Sequence, residues 1–266
     1  MVNLSNFRSE QRLWLRRVVL RLSRTQRIHI LGAARSGTTL MHCAMAAFDR
    51  TEVHPRESTL RAPDVSTLIP NFLQIGRSHY VTKRGYSWFR HENVDKFIRV
   101  ATAERIGVIY MVRHPSDVLT SCHKGELNRK YYVEPDRWCL SVQAGETIRF
   151  ALEDRVPFLV IRYEDLVSSP DRVCEKLVSA FRLRLRPGAE SLSRLASNVD
   201  TEKVGGLETA LHRVRDFDTS SVGKWRSDPK LCDYLRDLLK SEIASSLRDF
   251  ANEYDYSFEG LGTKVV

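Results

Sequence analysis

The chain has 266 residues, 42% of them hydrophobic and 28% charged, a composition that excludes disorder and collagen-like repeats and suits one large α/β domain with an appendage. No apolar run approaches the roughly 18 residues that cross a bilayer, so no membrane span is expected. The formal charge of +9 is concentrated at the start, where residues 1–27 hold seven arginines against the single acid Glu10; a general polyanion-binding surface, and with it nucleic-acid binding, is not expected.

In chain order, residues 12–24 placed on a helix gather Trp14, Leu15, Val18, Val19 and Leu22 on one face. This basic amphipathic helix, taken as residues 1–26, either docks on the domain that follows (residues 27–266) or meets a membrane surface through residues 8–24. The arginines interrupt every apolar run, so no secretory leader is read. Five cysteines, an odd number without CxxC spacing, read as reduced thiols. Both features point to the cytoplasm, with peripheral membrane contact as an option.

From Arg27 onward short β-rich runs alternate with longer helical patterns. Strands are expected at Ile28 to Leu31, His79 to Thr82, Gly107 to Val112 and Phe158 to Ile161. Helices are expected at Thr38 to Phe48, Val94 to Ala103, Ser116 to Lys124, Arg137 to Leu152 and Ser169 to Phe181. A last helix opens at Asp228-Pro229 and repeats Leu231, Leu235, Leu238, Leu239 and Ile243. Such alternation predicts a parallel sheet covered by helices. The polar stretch Thr201 to Trp225 reads as a functional loop.

Two segments carry chemistry. In the first, an apolar strand runs through Gly32-Ala-Ala-Arg35-Ser36-Gly37-Thr38-Thr39 into a helix. That arrangement turns backbone N–H groups and the positive end of a helix toward an anion. Both glycines of the Walker A pattern are present, but Thr38 stands at its lysine position, which argues against ATP or GTP hydrolysis. In the second, Ile109-Tyr-Met-Val-Arg113 ends a buried strand, and Ser121 follows eight residues later. Ligands of open α/β sheets bind at that carboxyl edge. Arg113 is otherwise a partner for Asp117, and Ser121 an ordinary helical serine.

Together, Arg35-Ser-Gly-Thr-Thr-Leu-Met41 resembles the 5′-phosphosulfate loop of sulfotransferases, and Arg113 with Ser121 resembles their 3′-phosphate motif. Val160-Ile-Arg-Tyr-Glu-Asp-Leu166 is similar to a recurrent strand-end segment of the family, and Gly223-Lys-Trp225 to its C-terminal cofactor loop. The resemblance implies a three-layer α/β P-loop-type fold with a central parallel sheet. It implies 3′-phosphoadenosine 5′-phosphosulfate (PAPS) as donor and no metal. Arg35, Ser36, Gly37, Thr38, Thr39, Arg113, Ser121, Arg162, Tyr163, Lys224 and Trp225 would then contact the cofactor. Lys124 is a weaker candidate for the 3′-phosphate.

The Arg-Ser-Gly-Thr-Thr form is nearer the tyrosylprotein, carbohydrate and bacterial enzymes, which use a glutamate base. Glu57 is that base here, with His54 competing and a solvated or ion-paired loop carboxylate as the alternative. Lys83 resembles the second catalytic lysine, with Arg84 as the alternative for that role. Arg35 would act on the donor as well as bind it. Tyr80, Tyr86, Trp88, Phe89, Tyr131, Tyr132 and Trp138 divide between core and acceptor site. Mixed with Arg90, His91, Arg129 and Lys130, the exposed ones suit a sugar ring. The expected acceptor is thus a hydroxyl of a carbohydrate or glycolipid, with a peptide tyrosine or a small phenol or lipid alcohol as alternatives. A P-loop kinase and a membrane or nucleic-acid adaptor are the other classes considered.

Overall fold

The computed structural model describes residues 25–57, 78–84, 88–122, 130–194 and 217–261. The expected N-terminal helix, Tyr86, Lys124, Arg129 and most of the polar stretch from Thr201 lie outside the described residues. Five strands, β1 (Thr25–Gly32), β2 (Thr51–Glu57), β3 (Ser78–Lys83), β4 (Gly107–Val112) and β5 (Phe158–Arg162), form one sheet in the order β2-β3-β1-β4-β5. Every pairing is parallel. The expected α/β architecture with a central parallel sheet is therefore present.

The sheet needs cover on both faces, and the strand alternation supplies it. Leu31, Val108, Tyr110 and Val112 point into one core, whereas Ile28, Ile30, Ile109, Met111 and Ile161 point into the other. On the first face pack α2 (His91–Glu104), α4 (Pro135–Leu152), α7 (Pro229–Leu238) and α8 (Ala244–Glu253). Of these, α2 presents Val94, Phe97 and Ala101 on a single stripe. On the second face lie α1 (Thr38–Met45), α5 (Tyr163–Ser168) and α6 (Pro170–Phe181). The result is three layers. Among the described residues no helix is long and apolar enough to cross a membrane.

Four local expectations change. Strand β2 was not expected, because Thr-Glu-Val-His-Pro-Arg-Glu is polar and contains a proline; as the sheet's edge it tolerates both. The helix expected from Ser116 to Lys124 is the short α3 (Pro115–Leu119). It ends because the chain then turns into a bridge between Cys122 and Tyr131, in which Tyr132 N–H donates to Ser121 O at 2.8 Å. The last expected helix breaks after Leu238 and resumes as α8. Ser169 and Asp228 each precede a proline and read in the sequence as helix caps; Asp228 does cap α7, accepting from Lys230 N at 2.9 Å, but Ser169 makes no side-chain cap on α6.

Candidate active site

The site lies at the carboxyl ends of β1, β3 and β4, where the parallel topology brings together loops distant in sequence. The loop after β1 is held open by unusual backbone. Gly32, Arg35 and Gly37 all have positive φ (149°, 68° and 93°), and a β-carbon on Gly37 would sit 2.4 Å from Tyr163 Cδ2. Only glycine fits there. Arg35 is strained at its position, as residues at binding loops often are. Ser36 N–H donates back to Ala33 O at 3.2 Å and Ser36 Oγ to the same carbonyl at 2.8 Å, which closes the loop on itself. The amides of Gly37, Thr38, Thr39 and Leu40 have no acceptor among the described residues. They open α1 and form a backbone cradle for an anion.

Around that cradle the side chains divide into two groups. On one side, Arg35 Nε donates to Ser121 Oγ at 2.7 Å, which joins the two sequence motifs directly. Arg113 donates to Arg35 O at 3.0 Å and to Ser221 O at 2.8 Å, and its guanidinium stacks 4.1 Å above the Tyr163 ring. Tyr163 completes the junction by sharing a 2.6 Å hydrogen bond with Ser221 Oγ. Asp117 is therefore not the partner of Arg113. Its carboxylate instead accepts from Gly223 N at 3.0 Å through both oxygens and pins the Ser221–Gly223 segment beside Arg113. Ser221 and Asp117 were not expected in the site. An Asp two residues into a helix carries no signal that it will anchor a loop 106 positions away.

On the other side stands Lys83, whose Nζ donates to Thr39 Oγ1 at 2.8 Å and lies 3.0 Å from Glu57 Oε1. The register dictates this, because Glu57 of β2 pairs with Lys83 of β3, and Lys83 with Ile30 of β1. The lysine is buried while the Glu57 side chain remains 43% exposed, so the carboxylate faces the mouth. Glu57 is thus an ion-paired strand-end carboxylate rather than a loop residue. His54, the competing base, points inward: it is buried and its Nδ1 shares a 3.1 Å hydrogen bond with Tyr80 OH. His42 of α1 is buried behind the same cluster. Burial holds its pKa down at about 3, with the charge of Lys83 and His54 acting in the same direction.

Three further residues expected to contact the cofactor have the following surroundings. Trp225 has no exposed surface and packs its indole against His114 and Arg226, so it supports the site from the core and does not line it. Arg162 stacks 4.5 Å above Tyr256, and Glu164 accepts from His114 N and Tyr256 OH; these residues tie β5 to the C-terminal segment. Lys224 is exposed beside Gly223. Ser36 and Thr38 are buried and offer the loop mainly backbone. Of the aromatics, Tyr80, Trp88 and Trp138 belong to the core, whereas Tyr132 is exposed with Arg35 5.4 Å from its ring centroid.

No family model matches the chain, and no curated relative matches it. Among solved structures it is similar to the sulfotransferase domain from the curacin biosynthetic pathway, with 20% identity, a TM-score of 0.59, and coverage of 88% of this chain and 98% of that one. It is also similar to the sulfotransferase domain of the Synechococcus PCC 7002 olefin synthase, with 15% identity, a TM-score of 0.55, and coverage of 88% and 96%. With its parallel sheet, glycine loop and flanking helices in the same arrangement, the chain has the fold of sulfotransferase domains.

Proposed function

We propose that the protein is a sulfotransferase that moves a sulfuryl group from PAPS to a hydroxyl acceptor. The observation that carries this reading is the bridge made by Lys83 between Thr39 of the glycine loop and Glu57. It places a cation and a carboxylate side by side at an anion cradle, as in-line group transfer to a hydroxyl requires.

The residues present fit the donor. The acceptor-free amides of Gly37 to Leu40 and the glycine at position 37, where a β-carbon has no room, suit a 5′-phosphosulfate. Arg113 and Ser121, held at the next strand end, suit a 3′-phosphate. When bound, the donor supplies a sulfuryl group on a phosphate leaving group. Glu57 accepts the acceptor's hydroxyl proton at Oε. Lys83 moves its hydrogen bonds from Glu57 toward the departing oxygen, which also frees the carboxylate. Arg35 offsets charge on the phosphosulfate, and its hydrogen bond to Ser121 keeps the two halves of the donor site in register.

Tyr132, exposed beside Arg35 at the mouth, supports a carbohydrate or glycolipid acceptor through ring stacking. The deciding experiment is thermal melting with 3′-phosphoadenosine 5′-phosphate (PAP) against magnesium-ATP. At a hundredfold excess over Kd, PAP stabilises by about 2.7 kcal/mol. Equal or greater stabilisation by magnesium-ATP makes the protein a P-loop kinase instead.

A further inference from the structure

Arg84, the alternative to Lys83 in the sequence, makes neither of Lys83's contacts to Thr39 and Glu57, yet its placement is costly. Its N–H donates to Ile30 O at 2.9 Å, so it extends the ladder one residue beyond Lys83 and stands at the same sheet edge as Glu57. The residue is 9% exposed. Its Nε is buried without a hydrogen-bond partner, and its guanidinium makes no hydrogen bond or ion pair with a described residue. The nearest carboxylate whose field reaches it is Glu57, and that oxygen is engaged by Lys83. The other charged group acting on it is Arg137 at the start of α4, which repels it, while Tyr132 is the remaining titratable neighbour.

An arginine N–H withdrawn from water without an acceptor is disfavoured, as Arg84 Nε is here, and a ligand that accepts from it relieves that cost. Arg84 is not needed to hold the loop, since Lys83 alone reaches Thr39 and Glu57. Tyr132, which Arg84 senses, is also the ring beside Arg35 at the mouth. Arg84, next in sequence to Lys83 at the end of β3, thus stands at the same end of the sheet as the candidate base, within the electrostatic reach of both Glu57 and Tyr132.

We infer that Arg84 is an anion-binding residue of the acceptor site, and that the acceptor carries a carboxylate, sulfate or phosphate group close to the hydroxyl that is modified. This rests on the sulfotransferase reading for the word acceptor, but the anion site itself does not. A guanidinium reads such groups through two parallel N–H donors, a geometry that lysine cannot reproduce. The anion would neutralise the excess of cations around Glu57 and orient the hydroxyl toward its carboxylate. A neutral alcohol would leave Arg84 Nε without an ionic acceptor.

The test is melting of the wild type, Arg84→Met and Arg84→Gln, each alone and saturated with PAP, with glucuronate, glucose 6-sulfate, glucose 6-phosphate or glucose added at constant ionic strength. Removing a largely buried cation whose Nε has no partner raises the Tm of ligand-free Arg84→Met by about 2–4 °C. One or more of the three anionic sugars raises the Tm of PAP-saturated wild type, glucose does not, and both variants lose the increment. The identity of the effective sugar separates carboxylate from sulfate from phosphate. A lower Tm in both variants makes Arg84 structural and overturns the inference. So does an increment that survives in the variants, no increment from any anion, or an increment abolished by PAP, which would assign Arg84 to the donor. If PAP itself leaves the wild type unshifted while the Arg84-dependent increment persists, the sulfotransferase reading fails and the anion site stands.

Discussion

Arg35 and Ser121, 86 positions apart in sequence, are joined by an Nε–H to Oγ hydrogen bond of 2.7 Å. Arg113 donates to the carbonyl of the same Arg35, so the phosphate loop and the motif after β4 form one unit. Arg113→Ala is expected to weaken PAP binding by about 10- to 100-fold, the worth of charge-assisted hydrogen bonds to a phosphate, and to change adenosine 5′-phosphate binding little. Ser121→Ala acts in the same direction with a smaller loss, because Arg35 keeps its charge. Calorimetric titration of both nucleotides checks this. Equal weakening of the two ligands would remove the 3′-phosphate assignment.

The Glu57 carboxylate faces the mouth, whereas His54 is turned inward to Tyr80. Glu57→Gln keeps the shape but cannot take a proton, so turnover falls by about 10²- to 10⁴-fold while PAP affinity stays near wild type. His54→Asn loses a buried hydrogen bond and lowers Tm with most of the turnover retained. The opposite pattern, with transfer abolished in His54→Asn and kept in Glu57→Gln, would move the base to the histidine.

On the proposed mechanism Lys83 and Arg35 act on different parts of the donor, so their variants are expected to separate. Lys83→Met removes the bridge between Thr39 and Glu57 and is expected to act mostly on turnover, since its hydrogen bonds shift to the departing oxygen in the transition state. Arg35→Ala is expected to lower donor affinity and turnover together, because on the same proposal Arg35 meets the phosphosulfate in the ground state as well. Single-turnover rates at saturating donor, set beside PAP affinities, resolve the two. Identical losses in both quantities for both variants would show that the residues do one job.

Much of this arrangement is legible in the sequence because it depends on local pattern. The apolar runs at 28–31, 107–112 and 158–161 mark strands, and Gly32 and Gly37 mark the loop between β1 and α1. What the pattern hides is set by tertiary position. An edge strand can be polar and contain proline, so β2 and the Glu57–Lys83 pairing it creates have no hydrophobic signature. Trp225 looks like a cofactor contact beside Lys224, yet the first core absorbs it completely. Arg84 is one of several arginines in sequence and becomes distinctive only once its burial and missing partner are visible.

Gly37 should be the least replaceable residue of the loop. A β-carbon there meets the Tyr163 ring at 2.4 Å, and φ is 93°. Tyr163 cannot give way without disturbing its hydrogen bond to Ser221 and its stack with Arg113. Gly37→Ala is therefore expected to cost about 1–3 kcal/mol in stability and to abolish measurable PAP binding. Urea unfolding and PAP titration check the two effects; wild-type PAP affinity in a folded Gly37→Ala would mean the loop does not hold the donor.

Stability should fall in mild acid, and the cause lies in two buried histidines close to the site. His29 of β1 is bonded to Thr82 and packed on Phe97, and burial holds its pKa down at about 3; burial holds that of His42 at about 3 as well. In the unfolded chain each titrates near its ordinary value of about 6.5. Above that pH both states are neutral and the full stability is present. Between about 6.5 and about 3 the unfolded state binds more protons, so stability declines as pH falls, by up to about 1.4 kcal/mol per pH unit for each histidine. Below about 3 the native histidines also protonate and this contribution is exhausted. The wild-type urea midpoint is therefore expected to drop steeply from pH 6.5 to pH 4, and His42→Gln, despite a lower midpoint at pH 7, to show about half that slope relative to a His29→Gln/His42→Gln reference. A double variant that retains the wild-type slope would assign the acid sensitivity to other groups, with His114, whose pKa burial also holds down, the first to examine.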